Sequence, residues 1–201
     1  QGNQLEIQKE EILLFENIRK IGSEVKINDV ILKKGTILDA GKIGFLASLG
    51  IAKVKAIPAP KVGIVITGNE IIAPGQTLNY GSVFDANSYT LKAAFQAQNI
   101  HTVTTIKCID DKKILTETLE KAIEDNDLVL ISGGVSVGDY DFTLPVLQSL
   151  NVDLVFHKIK QKPGKPLLFG TKSSKIIFGL PGNPASVLTC FYEYILPALD
   201  I

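Results

Sequence analysis

The 201-residue chain has no methionine and no tryptophan, two cysteines, two histidines, and a single arginine (Arg19) against twenty lysines. Each scarcity removes a class of function. Cys108 and Cys190 lie far apart, with no CxxC and no histidine at ligand spacing. A structural zinc site and a disulfide framework are therefore not expected, and a reducing cytoplasm is the natural setting. With one arginine, bidentate forks for phosphate or guanine are almost unavailable. The basic excess of a duplex binder is missing too: 21 basic residues balance 21 acidic ones, so nucleic acid is not expected as a partner. No apolar run approaches the roughly 20 residues that span a bilayer, and no signal peptide opens the sequence, so no membrane association is expected. His101 and His157 stand apart from any nucleophile, which leaves acyl transfer without support. Lacking methionine, the sequence does not begin at a start codon and is expected to be a piece of something longer.

What is present is a globular composition, 45% hydrophobic and 21% charged, of a length that suits one or two domains. The charge is sorted locally. The 39 residues from Leu154 to Tyr192 carry six lysines and no acidic residue. Within them lie two loops framed by proline and glycine, Gln161-Lys162-Pro163-Gly164-Lys165-Pro166 and Gly179-Leu180-Pro181-Gly182-Asn183-Pro184, each beside an apolar run. Lysines on loops at strand ends, near a helix N-terminus, suit an anion. The plainer reading is a solvated positive face.

The chain changes character at Ile57-Pro58-Ala59-Pro60. Before it, 39–49 reads as a helix with Asp39 as N-cap and Gly50 as stop. After it, strands and helices alternate. Val62–Thr67 and Leu128–Ser132 are continuous apolar runs, as expected of strands buried on both faces. Thr102–Cys108 and Val152–His157 read as strands. Leu167–Gly170 and Ile176–Gly179 read as a hairpin turning at 171–174. Helices are expected over Ser88–Gln98, Asp110–Glu124, Phe142–Leu150 and Pro184–Leu199, the last capped by Asn183 with Pro184 in its first position. This alternation predicts an α/β fold with a mostly parallel sheet flanked by helices. Ligands bind such sheets beyond the carboxyl ends of the strands, here Thr67-Gly68-Asn69-Glu70, Ser132–Gly138 and Leu180–Asn183.

Between strand and helix, Ser132–Asp141 (SGGVSVGDYD) brings three glycines, two serines and two aspartates together. Its glycines allow backbone N–H groups to approach phosphate oxygens. Asp139-Tyr140 stand where a P-loop needs Lys-Ser/Thr, so it is not one. Asp141 has two roles open, a ligand for a phosphate-bridging divalent cation or the cap of the Phe142 helix; Asp139 is the weaker candidate. Asp85 and Asn87 are read as caps of the Ser88 helix or as ligand contacts. Thr67 and Glu70, taken alone, suit turn capping.

Together, SGGVSVGDYDFT, QKPGKPLLFG and GLPGNPAS resemble the MoeA family of molybdopterin molybdenumtransferases, which includes the gephyrin E domain. Asn17–Glu24 is similar to the family's NIRxxGED segment, Leu46–Ile51 to its ASLG helix end, Thr67–Glu70 to its TGDE and Val83–Asn87 to its IYDSN. The resemblance implies a three-layer molybdopterin-binding domain over 58–201, with 1–57 a remnant of an N-terminal or linker region of another domain. It implies an enzyme that takes adenylylated molybdopterin and molybdate, cleaves the adenylate with a divalent cation (magnesium) and releases molybdenum cofactor and AMP. It further implies a homodimer in the full-length protein, whose partner completes the site. Carried onto this chain, Asp141, Lys162 and Lys165 would be catalytic, with Asp141 also the metal ligand. Thr67, Glu70, Asp85, Asn87, Ser132, Gly133, Gly134, Ser136, Gly138, Lys158, Pro181, Gly182, Asn183 and Ser186 would bind substrate. An oxyanion is expected at the Ala185 and Ser186 N–H groups and Lys165. One departure stands out: Asn69 replaces the aspartate of TGDE. A MogA-type adenylyltransferase is disfavoured, since a GGTG-type loop is expected where this chain has Gly133-Gly134-Val135-Ser136, and since 1–57 would have no counterpart. A gephyrin-like scaffold lacks support, with no long proline- or serine-rich linker present.

Overall fold

The computed structural model describes residues 2–4, 6–9, 11, 13–133 and 142–199. The chain divides into two compact units, Gln1–Ala56 and Ile57–Ile201.

Among the described residues the first unit is mostly turns, with one helix, α1 (Ala40–Ser48). The expected cap is present: Asp39 Oδ1 accepts from Lys42 N at 2.9 Å, one of the donors a helix start leaves open. Gly50 follows at φ 76°, a left-handed stop that glycine adopts readily. Leu46 is the buried apolar side chain of α1, while Leu14, Ile21, Ile27 and Ile37 are exposed.

The second unit is a three-layer sandwich on a six-stranded sheet ordered β4-β1-β5-β8-β7-β6. Its strands are β1 (Val62–Thr67), β4 (Val103–Cys108), β5 (Leu128–Ser132), β6 (Asp153–His157), β7 (Leu168–Lys172) and β8 (Lys175–Leu180). Two short strands, β2 (Ile71–Ile72) and β3 (Val83–Phe84), pair separately in parallel. β1, β4, β5 and β8 are mutually parallel, and β7 is antiparallel to both β8 and β6. β6 therefore runs with β1, β5 and β8, and its carboxyl end lies on their edge.

Side chains of successive strand residues point to opposite faces, and here that alternation separates two cores. Val62, Ile64 and Ile66 of β1 and Leu128 and Leu130 of β5 pack with α2 (Asn87–Ala97) and with α5 (Pro184–Cys190) and its continuation. Val65, Val129 and Ile131 pack instead with α3 (Lys112–Asp125) and α4 (Thr143–Ser149). Burial on both faces is why VGIVIT and LVLIS read as unbroken apolar runs. A bulge between Leu154 and Phe156 sends the first toward the α3/α4 core and the second toward the α2/α5 core.

Local signals hold the helices in place. Asp111 accepts from Lys113 N and Ile114 N at 2.9 Å each, capping α3. Past α5 the chain makes a π turn, Phe191–Ile195, before a last helical turn, α6 (Leu196–Leu199). Phe191 meets Phe95 of α2 edge-on, 5.0 Å between ring centroids, an arrangement that adds about 1 kcal/mol to area burial. The expected Pro184–Leu199 helix is thus present but interrupted by one wide turn.

Candidate functional site

The strand order reverses direction between β1 and β5: one helical crossover leads from β1 out to β4, and the next returns past β1 to β5. At such a switch point the loops leave in opposite directions and open a crevice beyond the strand ends. Thr67 closes β1, Ser132 closes β5, and Gly133 follows. A Cβ on Gly133, whose φ is 95°, would lie 2.3 Å from the Thr67 carbonyl oxygen and 2.8 Å from Thr67 Oγ1. Glycine is thus required both by its conformation and by the approach of the neighbouring strand.

Asn87, the first residue of α2, spans this crevice. Its Nδ2 donates to Ser132 Oγ at 2.8 Å and to the Gly182 carbonyl at 2.9 Å, tying α2, β5 and the turn after β8 together. Asn87 is thus no cap. The cap is Asp85, which accepts from Ser88 N at 2.9 Å and from the Ser88 hydroxyl. Thr67 is 3% exposed and Asn87 9% exposed, yet Thr67 Oγ1 and Asn87 Oδ1 are without hydrogen-bond partners among the described residues. Buried polar atoms are nearly always paired, so two unpaired ones at the β1/β5 switch mark a place where a ligand's polar groups fit.

The lysine loop lies on the same edge. Lys158 follows β6 with φ 69°, its N–H donating to the Leu167 carbonyl at 2.9 Å. Ile159 N donates to the Lys165 carbonyl at 2.8 Å and Leu167 N to Gly164 at 3.1 Å, closing a compact loop. Gly164 is buried, while Lys158, Lys162 and Lys165 are exposed. With Lys160, also exposed, four lysines make this loop cationic. Of the two lysines at the far end of the hairpin, Lys175 pairs with Asp127 at 3.4 Å.

After β8, Pro181 is buried and Gly182 contacts Asn87 through its carbonyl. Here one expectation needs correcting. Asn183 Oδ1 accepts from Ala185 N at 2.9 Å and Ser186 N at 3.5 Å. The N–H groups expected for an oxyanion are therefore taken by the cap, and Ser186 is 7% exposed. Glu70 folds its carboxylate over Gly68, both oxygens 2.9 Å from where a Cβ would sit. Asn69 exchanges two bonds with the turn before α3: its N–H donates to Asp110 Oδ2 at 3.3 Å, and its Oδ1 accepts from Asp110 N at 3.2 Å.

Gly134, Ser136, Gly138 and Asp141, expected at the site, lie outside the described residues, as does Asp139. Among the described residues no group of three or more His, Cys, Asp or Glu could hold a metal. Glu70 is a lone carboxylate, and both Asp85 oxygens are engaged by Ser88. Those donors do not fit a cation by themselves. No helix among the described residues is long and apolar enough to cross a membrane.

Two features were missed by reading the sequence. His157 ends β6 on the site edge, with Nε2 buried and unpartnered among the described residues. Burial first, and Lys158 second, hold its pKa below the usual histidine range, which favours the neutral imidazole. The other is a cavity of about 300 Å³ beside the crevice, floored by Ile66, Ile71 and Ile72 and walled by Tyr89, Lys92, Thr105 and Lys107.

The comparisons with known proteins agree with this architecture. The chain is 39% identical over 184 residues to the molybdopterin molybdenumtransferase of Haemophilus influenzae, covering 92% of this chain and 45% of that protein. It thus spans about half the length of the curated relatives it matches. The molybdopterin biosynthesis MoeA protein of Pyrococcus horikoshii OT3 superposes with a TM-score of 0.68 at 35% identity, over 89% of this chain and 42% of that one. The Mog protein of Mycobacterium ulcerans shares the fold alone, with a TM-score of 0.55 at 19% identity over 72% of this chain and 97% of that one. Residues 63–201 match the model of the probable molybdopterin binding domain, and the chain belongs to that family.

Proposed function

We propose that this chain is the molybdopterin-binding part of a molybdopterin molybdenumtransferase, which takes adenylylated molybdopterin and molybdate and releases molybdenum cofactor and AMP. The observation that carries the reading is the pair of buried atoms at the β1/β5 switch, Thr67 Oγ1 and Asn87 Oδ1, which have no partner among the described residues, on the sheet edge that also bears the lysine loop. Polar pterin groups suit the two buried oxygens, and pyrophosphate and molybdate suit the lysines. The similarity to transferases at 39% identity supports it further, against 19% for a Mog protein.

In this mechanism the Thr67 hydroxyl and Asn87 amide oxygen orient the substrate in the crevice, with Ser132 held by Asn87 and Glu70 at the rim. Lys158, Lys162 and Lys165 balance the charge of the phosphates and of molybdate, and stabilise the negative charge that AMP carries away when the anhydride P–O bond breaks. Gly134, Ser136 and Gly138 belong to the proposed binding loop on sequence grounds. A divalent cation, which we take to be magnesium with Asp141 as its ligand, would supply further charge neutralisation.

The reading extends to a homodimer of the full-length protein that completes the site, small-molecule substrates rather than nucleic acid, and a cytoplasmic location, which suits two buried free thiols. It also takes 58–201 as the binding domain and 1–57 as part of another. The test is titration of this chain with molybdopterin and its adenylate, then turnover by the full-length parent. Binding that is lost in Asn87→Leu supports the reading. A folded chain that binds neither compound, with an inactive parent, sinks it.

A further inference from the structure

The loop that carries Lys162 and Lys165 is held by a side chain from the π turn that follows α5. Tyr194 OH donates to Gln161 Oε1 at 2.6 Å, and Gln161 Nε2 donates to the Pro163 carbonyl at 2.9 Å. Tyr194 sits within the π turn Phe191–Ile195. Such turns recur at functional sites, because the extra residue re-aims the side chains it contains. One residue of α-helix is about 100° of rotation, so the π turn decides which side chain faces the loop. On the other flank, Gly164 packs so closely that a Cβ there would lie 2.7 Å from Gln161 Nε2 and 3.0 Å from Cys190 Sγ. Gln161 precedes Lys162 and Gly164 precedes Lys165, so each lysine leaves the backbone directly after an anchored residue.

We propose that Tyr194 and Gln161 are positioning residues: acting through the Pro163 carbonyl and the packed Gly164, they fix the spacing of Lys162 and Lys165 so that both ammonium groups converge on one oxyanion. This rests on the anion-binding reading of the loop. Geometry of this kind matters because a flexible loop must be ordered when ligand binds, and a pre-ordered one spares that cost. The fully exposed alternative, two lysines on a free loop, would not need a buried glycine or a tyrosine from another element.

The test combines sodium molybdate titration with hydrogen exchange of the Ile159 and Leu167 amides, which bond to Lys165 and Gly164 within the loop. The variants are Tyr194→Phe, Gln161→Ala, Lys162→Ala, Lys165→Ala, both lysine changes together, and Tyr194→Phe combined with both lysine changes, with Lys172→Ala as control. Tyr194→Phe is expected to raise exchange of the two amides at least tenfold and to weaken molybdate five- to tenfold, with unchanged circular dichroism. In the background lacking both lysines, the Tyr194 change should have no further effect on affinity, which a merely structural role would not produce. Unchanged exchange or affinity in Tyr194→Phe, alongside weakened lysine variants, overturns the positioning role alone. Equal weakening with and without the lysines overturns it too. Unchanged affinity in Lys162→Ala and Lys165→Ala overturns the anion reading and the positioning role together.

Discussion

The carbonyl oxygen of Thr67 lies where only glycine leaves room at residue 133: an added Cβ would stand 2.3 Å away, on a backbone at φ 95°. The closeness joins the carboxyl ends of β1 and β5 at the switch point where the crevice opens. Gly133→Ala must therefore either strain the backbone or push the two strand ends apart. The cost expected is about 2–4 kcal/mol, combining a left-handed non-glycine residue with overpacking. Urea denaturation measures it, and pterin binding should fall in the fraction that stays folded. A variant as stable as the parent would mean the loop relaxes freely.

Asn87 holds three elements with one amide group. Asn87→Leu leaves the Ser132 hydroxyl and the Gly182 carbonyl short of a donor and should cost about 2–3 kcal/mol. Asn87→Asp is the sharper change, because it turns a carboxylate oxygen toward the Gly182 carbonyl. A carboxyl group buried there has its folded pKa raised. Its destabilisation is thus absent below the unfolded pKa near about 4 and grows as pH rises above it. Thermal melts between pH 4 and pH 7 should show Asn87→Asp falling away from Asn87→Leu. Parallel curves would count against the geometry.

The lysines should separate by position. Lys162→Ala or Lys165→Ala is expected to weaken molybdate or pterin-phosphate binding by about 1–3 kcal/mol, the range for a lost charge-assisted contact. Lys172→Ala, at the far end of the hairpin, should leave affinity unchanged. Lys175 is a poorer control than the sequence suggests, because it pairs with Asp127. Calorimetric titration of the three variants decides between an anion site and a solvated face.

At position 69 the family's aspartate would face another carboxylate. Asn69 Oδ1 accepts from Asp110 N at 3.2 Å, and Asn69 N donates to Asp110 Oδ2 at 3.3 Å. Asn69→Asp keeps both hydrogen bonds but adds a like charge beside Asp110. Both groups are solvent-exposed, so the penalty should stay under about 1 kcal/mol, appear only above about pH 4, and shrink with salt. Denaturation at low and high ionic strength checks this. A stabilised variant would show that Asp110 does not sense residue 69.

The parts of this molecule that were legible in the sequence are those written locally. VGIVIT and LVLIS announced central strands because both faces are buried, and Asp39 and Asn183 announced helix starts because a cap bonds two or three residues ahead. The carboxyl-edge location of the distinctive loops followed from that alternation. The Asn87–Ser132–Gly182 junction was not legible, because its partners are 45 and 95 residues away from Asn87, and nothing near Asn87 distinguishes a strut from a cap. β2 and β3, two residues each, are too short for any periodicity. The Gln161–Tyr194 bond spans 33 residues and depends on a π turn that no pattern in Phe191–Ile195 signals.

At the opposite edge of the sheet, Asp127 fastens the amino ends of the central strands. Its Oδ2 accepts from Lys61 N at 2.9 Å, and its Oδ1 meets Lys175 Nζ at 3.4 Å. The Lys61 N–H foremost, and Lys175 after it, hold the Asp127 carboxyl below the usual aspartate range. A depressed folded pKa contributes stability above the unfolded value near about 3.9, and that contribution is lost as pH falls through the folded pKa. Asp127→Ala should thus be less stable than the parent by up to about 1 kcal/mol between pH 5 and pH 8, given the exposure of the pair. The gap should narrow below about pH 4. Because Asp127 lies away from the strand carboxyl ends, ligand affinity should not change. Chemical denaturation at pH 3 and pH 7, with a binding titration at pH 7, tests both halves. A gap that persists undiminished at pH 3 would show that the carboxylate charge contributes nothing, and altered affinity would show that the two edges of the sheet are coupled.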